Sequence, residues 1–138
     1  MKGFFAAGLL VACVPFAAGA ASVCGDTLGE TRRIEGAKYT VAYRTVPDPI
    51  RVGAHFALDF AVCPRAGAEA AAPRSVRVDA TMPEHRHGIN YRPVVTARSA
   101  PVYRAEGLMF HMPGRWDLTF DVEADGRTER LTGVLLLE

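Results

Sequence analysis

Alternation of apolar and polar side chains at every second residue is the feature that most constrains the fold of this 138-residue chain. Residues 75–82 read SVRVDATM, which puts the valines, alanine and methionine on one side of an extended backbone. A period of two is typical of strands with one buried face. Together with the turn residues between such segments, the pattern predicts seven strands, at 38–46, 54–63, 75–82, 91–98, 102–112, 115–124 and 128–137.

Short strands separated by turns about every 8–12 residues, with no segment of helical period, predict an all-β fold. We expect an immunoglobulin-like antiparallel β-sandwich, with a small up-and-down barrel as the alternative. Pro93 has no N–H to donate, so its strand is expected at a sheet edge. Asp125 and Gly126 predict a tight hairpin turn. Trp116, at an apolar position of the pattern, is expected in the core.

The N-terminus has the features of an export signal. Lys2 precedes an apolar stretch, and residues 18–20 (AGA) have the small-x-small form of a cleavage site. We predict a signal peptide over 1–20 and a periplasmic or secreted protein with no stable membrane span after cleavage. Lipid anchoring at Cys13 and a retained membrane anchor are the alternatives, and Pro15 argues against the second.

Cleavage after residue 20 would leave two cysteines, Cys24 and Cys63. An even pair in an oxidising compartment is most simply a disulfide. This bond would tie an N-terminal segment, 21–37, to the β-sandwich domain, 38–138. A metal-binding thiolate pair is the alternative, but thiols exported through an oxidising space tend to be oxidised.

Composition and motifs exclude several functions. The formal net charge is +1, which gives no reason to expect nucleic acid as a partner. The chain has no nucleophile elbow, phosphate-binding loop or zinc-protease motif. We therefore expect a binding protein rather than an enzyme.

Histidine and methionine are concentrated in the segments 82–88 (MPEHRHG) and 110–116 (FHMPGRW). The two predicted strands that lead into these segments are separated by one strand, so in an antiparallel sandwich both run in the same direction. The two segments should then meet at one pole. The strand at 54–63 starts from that pole, which brings His55 near as well.

Imidazole nitrogen together with thioether sulfur favours copper. Calcium and magnesium prefer oxygen ligands, and structural zinc prefers thiolate and imidazole. Thioethers favour Cu(I), and imidazole binds both Cu(I) and Cu(II). We predict a copper site, with a copper-donating or copper-accepting periplasmic protein as partner. The candidate ligands, in order, are His85, His87, His111, Met82 and Met112, with His55 last.

Backbone direction limits how these ligands can combine. His85 and His87 are two residues apart, so an extended backbone would aim both side chains the same way. His111 and Met112 are adjacent, so a regular strand would send them to opposite faces, and either could be the better ligand. The alternative to a metal site is a non-metal interaction module that acts by protein–protein contact, with the histidines forming a recognition or pH-sensitive surface.

The paired motif resembles that of the YtkA-like domain family, which is related to the FixH-like proteins. The matching stretches are Met-Pro-x-His-x-His-Gly at Met82–Gly88 and Gly-Leu-x-Phe-His-Met-Pro-Gly-x-Trp at Gly107–Trp116. The resemblance covers most of the chain from about Tyr39 onward. It implies an exported immunoglobulin-like β-sandwich associated with copper handling or oxidase assembly. Ile89 stands where the family often has methionine, which removes one possible thioether ligand.

Overall fold

The chain folds into two antiparallel β-sheets packed face to face, in a computed structural model that describes residues 22–138. The predicted signal peptide at 1–20 and the lipidation alternative at Cys13 lie outside these residues. In the part of the chain that is described, no helix is long and apolar enough to cross a membrane.

Nine strands make up the two sheets. In chain order they are β1 (Arg32–Glu35), β2 (Tyr39–Val46), β3 (His55–Pro64), β4 (Ser75–Met82), β5 (His87–Gly88), β6 (Val94–Ala97), β7 (Val102–Met109), β8 (Gly114–Ala124) and β9 (Arg127–Leu137). Sheet A has the order β1-β2-β3-β7-β6, and sheet B has the order β5-β4-β8-β9. Two separate sheets make a sandwich rather than a closed barrel, so the predicted fold class is confirmed.

The core lies between the sheets and follows the predicted alternation. In β4 the buried and exposed residues alternate along the whole strand. The inward face of β8 is completely buried, with Trp116, Leu118 and Phe120 at 0% exposure. Since these side chains alternate with polar ones, burying one face leaves the other face in water. The placement of Trp116 in the core is confirmed.

Turn chemistry also follows the sequence. The residues of the β8–β9 turn, Asp125 and Gly126, have φ angles of 51° and 69°. Positive φ at both central residues is the requirement of the tight hairpin turn that matches strand twist. Pro93 directly precedes β6, which forms one edge of sheet A as predicted.

Strand number and two boundaries differ from the prediction. The strand expected over 102–112 ends at Met109, because β3, its partner, begins opposite that residue at His55. The strand expected over 91–98 shortens to β6, which starts after Pro93. β1 and the two-residue β5 were not predicted, because neither carries an alternating apolar pattern.

The N-terminal segment is tied to the outer face of sheet A. Cys24 and Cys63 form a disulfide with a Cα–Cα distance of 5.8 Å, which confirms the predicted pair. Gly25 lies so close to Ala42 on β2 that a side chain on the glycine would collide with it. This covering explains why Ala42 and Ala61, on the outer side of the sheet, are 0% exposed.

Candidate functional site

One end of the sandwich, which we call the His pole, carries His85, His87 and His111. β4 ends there at Met82, β7 ends there at Met109, and β8 starts there because it runs antiparallel to β4. A short 3-10 turn and β5 follow β4 and carry the first two histidines, while the β7–β8 connection carries the third. The fold therefore brings together two segments that are far apart in sequence.

His87 and His111 form the compact part of the His pole. Their Nε2 atoms are 3.2 Å apart and their ring centroids 4.9 Å apart. With both rings neutral, one Nε2–H can donate to the lone pair of the other Nε2. A cation about 2.0–2.1 Å from both nitrogens would hold them at an angle of roughly 100°, close to tetrahedral. The spacing thus suits an N–H···N hydrogen bond or one shared cation.

Trp116 supports this pair from the core. Its ring stacks on Phe110 at a centroid distance of 4.3 Å. It also contacts the rings of His87 and His111 in T-shaped arrangements, at 6.1 and 5.4 Å. The indole Nε1–H donates to the main-chain oxygen of Met112 at 3.1 Å, which anchors the connection that carries His111. Sequence reasoning placed Trp116 in the core but missed this role, whose only signal was its position within the second motif.

His85 lies beside the pair, with its ring centroid 5.7 Å from that of His87. The backbone between them is not extended, so the predicted reason for their shared direction is wrong. Pro83–His85 forms a 3-10 turn, and Arg86 adopts a left-handed conformation with φ 56°. Left-handed backbone reverses the chain locally, and the turn brings the two rings close in place of strand periodicity.

The two methionines of the predicted site differ in exposure. Met82 is 1% exposed and belongs to the core, where its Cε lies against Gly114. Gly114 has φ 120°, and a Cβ there would approach that Cε to 3.0 Å. Met112 is half-buried and packs against the edge of the core. Met112 is therefore the more accessible thioether of the two.

Few charged groups accompany the imidazoles. Glu84 is exposed, and Arg115 is paired with Asp117 at 3.1 Å. Within residues 22–138, no three or more His, Cys, Asp or Glu side chains are grouped so that they could hold a metal ion. The His87–His111 pair is thus the best-formed element of the candidate site.

His55 begins β3 and lies opposite Met109 of β7. Its ring contacts Tyr91 in a T-shaped arrangement, with centroids 5.2 Å apart. The sequence suggested that His55 could join the other histidines, but its ring neighbour is this tyrosine.

Comparisons with known proteins do not assign this chain to a family. No family model matches the chain, and no curated protein matches it. A crystal structure of a DUF4426 family protein from Pseudomonas aeruginosa PAO1 is similar at 13% sequence identity, with a TM-score of 0.47. That alignment covers 78% of this chain and 96% of the other. The resemblance to the YtkA-like family accordingly stays a prediction.

Proposed function

We propose that this protein is an exported, non-catalytic copper-binding protein that buffers copper or delivers it to a partner. One observation carries the proposal, the 3.2 Å separation of the Nε2 atoms of His87 and His111. Two imidazole nitrogens that face each other at the separation of neighbouring ligands can bind one ion with little rearrangement. Binding replaces the shared proton between the rings with a cation, because a metal ligand must present a lone pair.

The choice of copper rests on the donor atoms around the pair. Met112 supplies a thioether next in sequence to His111, and thioethers are soft ligands that favour Cu(I). Both cysteines of the described region are in the disulfide, so neither offers a thiolate. Neutral imidazoles and thioethers add no negative charge, and hard cations prefer oxygen ligands. His85, with its ring centroid 5.7 Å from that of His87, is a third imidazole beside the pair.

Export and a copper-exchange partner are part of the same proposal. The disulfide is consistent with an oxidising compartment. The motif resemblance to YtkA-like proteins points in the same direction. His85 and His111 are exposed, so an ion bound at the His pole would be open to a partner that competes for it.

Titration of the purified protein with Cu(I) and with Cu(II), in competition with a colorimetric chelator, tests the proposal. His87→Ala/His111→Ala should lose one bound equivalent, whereas the exposed neighbour variant Asn90→Ala should bind like wild type. His85→Ala reports whether the third imidazole is a ligand. Equal binding by wild type and the double variant would overturn the copper site and favour the interaction module.

A further inference from the structure

A second imidazole–thioether pair lies on the outer face of sheet A. His55 and Met109 are directly opposite in the β3–β7 ladder, and the next pair, Phe56 and Leu108, is buried in the core. Successive side chains of a strand point to opposite faces, so His55 and Met109 share the outer face. Directly opposed residues have Cβ atoms about 4.5–5.5 Å apart, which lets both side chains reach one ion.

Tyr91 contacts the histidine of this pair. It lies in the segment that leads into β6, which pairs with β7 on the side away from β3. The rings of His55 and Tyr91 are nevertheless only 5.2 Å apart, so the tyrosine reaches back toward the end of the β3–β7 ladder. This agrees with the half-buried state of Met109 on an outer face, while His55 and Tyr91 stay exposed.

We propose that His55 and Met109 form a second binding position for a soft monovalent cation such as Cu(I), partly covered by Tyr91. An imidazole nitrogen and a thioether sulfur are ligands of this class. The nearest acidic residue of β7, Glu106, is paired with Arg104 at 3.1 Å, so no free carboxylate on that strand favours a hard cation. This position goes beyond the His87–His111 site and shares no ligand with it.

The two positions are neighbours in the chain. Met109 and His111 are separated by Phe110, whose side chain is buried in the core. The main-chain oxygen of Phe110 accepts a hydrogen bond from Gly53 N–H at 2.8 Å, and this fixes the residue between them to the segment that precedes β3. Both positions therefore lie at the same end of the molecule.

Silver(I) nitrate in chloride-free buffer is the probe, because Ag(I) is a soft monovalent cation that does not change oxidation state. The protein is labelled with ¹³C at its methionine methyl groups, and Met82, Met109 and Met112 are assigned with single Met→Leu variants. We expect the Met109 methyl signal to shift on Ag(I) addition, with a second equivalent bound in wild type. In His55→Ala and Met109→Leu the dissociation constant of that equivalent should rise by at least about 100-fold, since losing only an outer-sphere partner costs roughly 10- to 100-fold.

Two controls separate this position from the His87–His111 site and from simple packing. His87→Ala/His111→Ala should keep the Met109 response, and Met112→Leu, which removes a sulfur elsewhere, should keep it as well. Methionine also packs against aromatic rings without binding metal. A Met109 signal that does not respond to two equivalents of Ag(I), or that responds equally in His55→Ala, would overturn the proposal. Neither result would affect the test of the first site.

Discussion

The two ends of the sandwich use their polar groups in different ways. At the end opposite the His pole, which we call the disulfide pole, Cys63 is bonded to Cys24 and the Tyr39 O–H donates to the Ala71 oxygen at 2.7 Å. The Glu129 carboxylate there accepts hydrogen bonds from the main-chain N–H groups of Ala37 and Lys38. Each of these groups holds one segment of the chain against another.

At the His pole the imidazoles bond to each other rather than to the framework. His87 and His111 meet through their Nε2 atoms, and His85 is exposed. Below them, by contrast, Trp116 is fully buried and hydrogen-bonded to the main chain. One pole therefore holds chain segments together, while the other presents donor atoms above a buried tryptophan. A binding site needs polar side chains of this second kind, whose donor atoms are positioned by the fold but are not used to hold it together.

Removing the disulfide should have the largest effect on stability and little effect on the His pole. Cys24→Ser/Cys63→Ser opens a loop with a sequence separation of 39 residues. The chain-entropy relation then predicts a loss of about 4 kcal/mol in the free energy of unfolding. Urea denaturation measures the loss, and the histidine ring signals in NMR spectra of the folded variant should keep their wild-type positions. Displaced His87 and His111 signals would show that the two poles are coupled.

Gly114→Ala should act on the His pole itself. The residue has φ 120°, and the new Cβ would lie 3.0 Å from Met82 Cε. We expect a loss of about 1–3 kcal/mol from backbone strain, together with weaker copper binding because the connection carrying His111 must shift. Urea denaturation and copper titration measure the two effects.

The matched control for this change is Gly126→Ala in the β8–β9 turn. Gly126 also has positive φ, at 69°, but no atom would lie within 4 Å of its Cβ. Its stability should fall by about 1 kcal/mol, with unchanged copper binding. Equal loss of copper binding in both variants would contradict the specific role of Gly114.

Glu129→Ala tests whether the hydrogen bonds at the disulfide pole stabilise the fold. We expect a loss of about 1–3 kcal/mol, because two main-chain N–H groups lose a charged acceptor. The matching change at the His pole is Glu84→Ala, an exposed carboxylate, which should shift stability by less than about 0.5 kcal/mol. Chemical denaturation compares the two variants, and similar losses would remove the contrast between the poles.

The fall in the free energy of unfolding at acidic pH should depend on a residue that lies at neither pole. Asp121 lies on the outer face of sheet B, where a hydrogen bond from Arg130 lowers the pKa of its carboxyl group and the charges of Arg130 and Arg77 lower it further, against the opposing effect of burial. A pKa below that of the unfolded chain gives stability that is present above the unfolded value, about 3.9, and is lost as pH falls through the folded value.

Asp121→Asn should therefore flatten the fall in stability below about pH 4, with a change at neutral pH of up to about 1 kcal/mol, as for other partly exposed ion pairs. Urea denaturation between pH 3 and pH 7 measures the slope. An unchanged acid slope would show that Asp121 does not contribute to it.

Much of the fold was predictable because it depends on local pattern. The alternation in β4 and β8 requires one buried face each, and Asp125-Gly126 supplies the backbone of a tight turn. β1 was not predictable in this way. Ile34 is its only apolar residue, and its pairing with β2 depends on where the rest of sheet A lies.

The candidate site was predictable only in outline. Strand direction indicates that the two histidine-containing segments meet, because it depends on the order of strands and not on side-chain detail. The conformation of Arg86 and the contact of Trp116 with both imidazoles could not be inferred, since they depend on local backbone reversal and on packing across the two sheets. The register that pairs His55 with Met109 could not be inferred either, because it depends on how β3 and β7 align in sheet A.

The sequence alone determined the class of fold, the cysteine pair and the end of the molecule where its histidines gather, because each follows from side-chain period, residue count or strand direction. Only the tertiary structure showed that the Nε2 atoms of His87 and His111 face each other, and that His55 lies opposite Met109. Distances of a few ångströms depend on register and rotamer, and these are set by packing between segments that no local pattern relates.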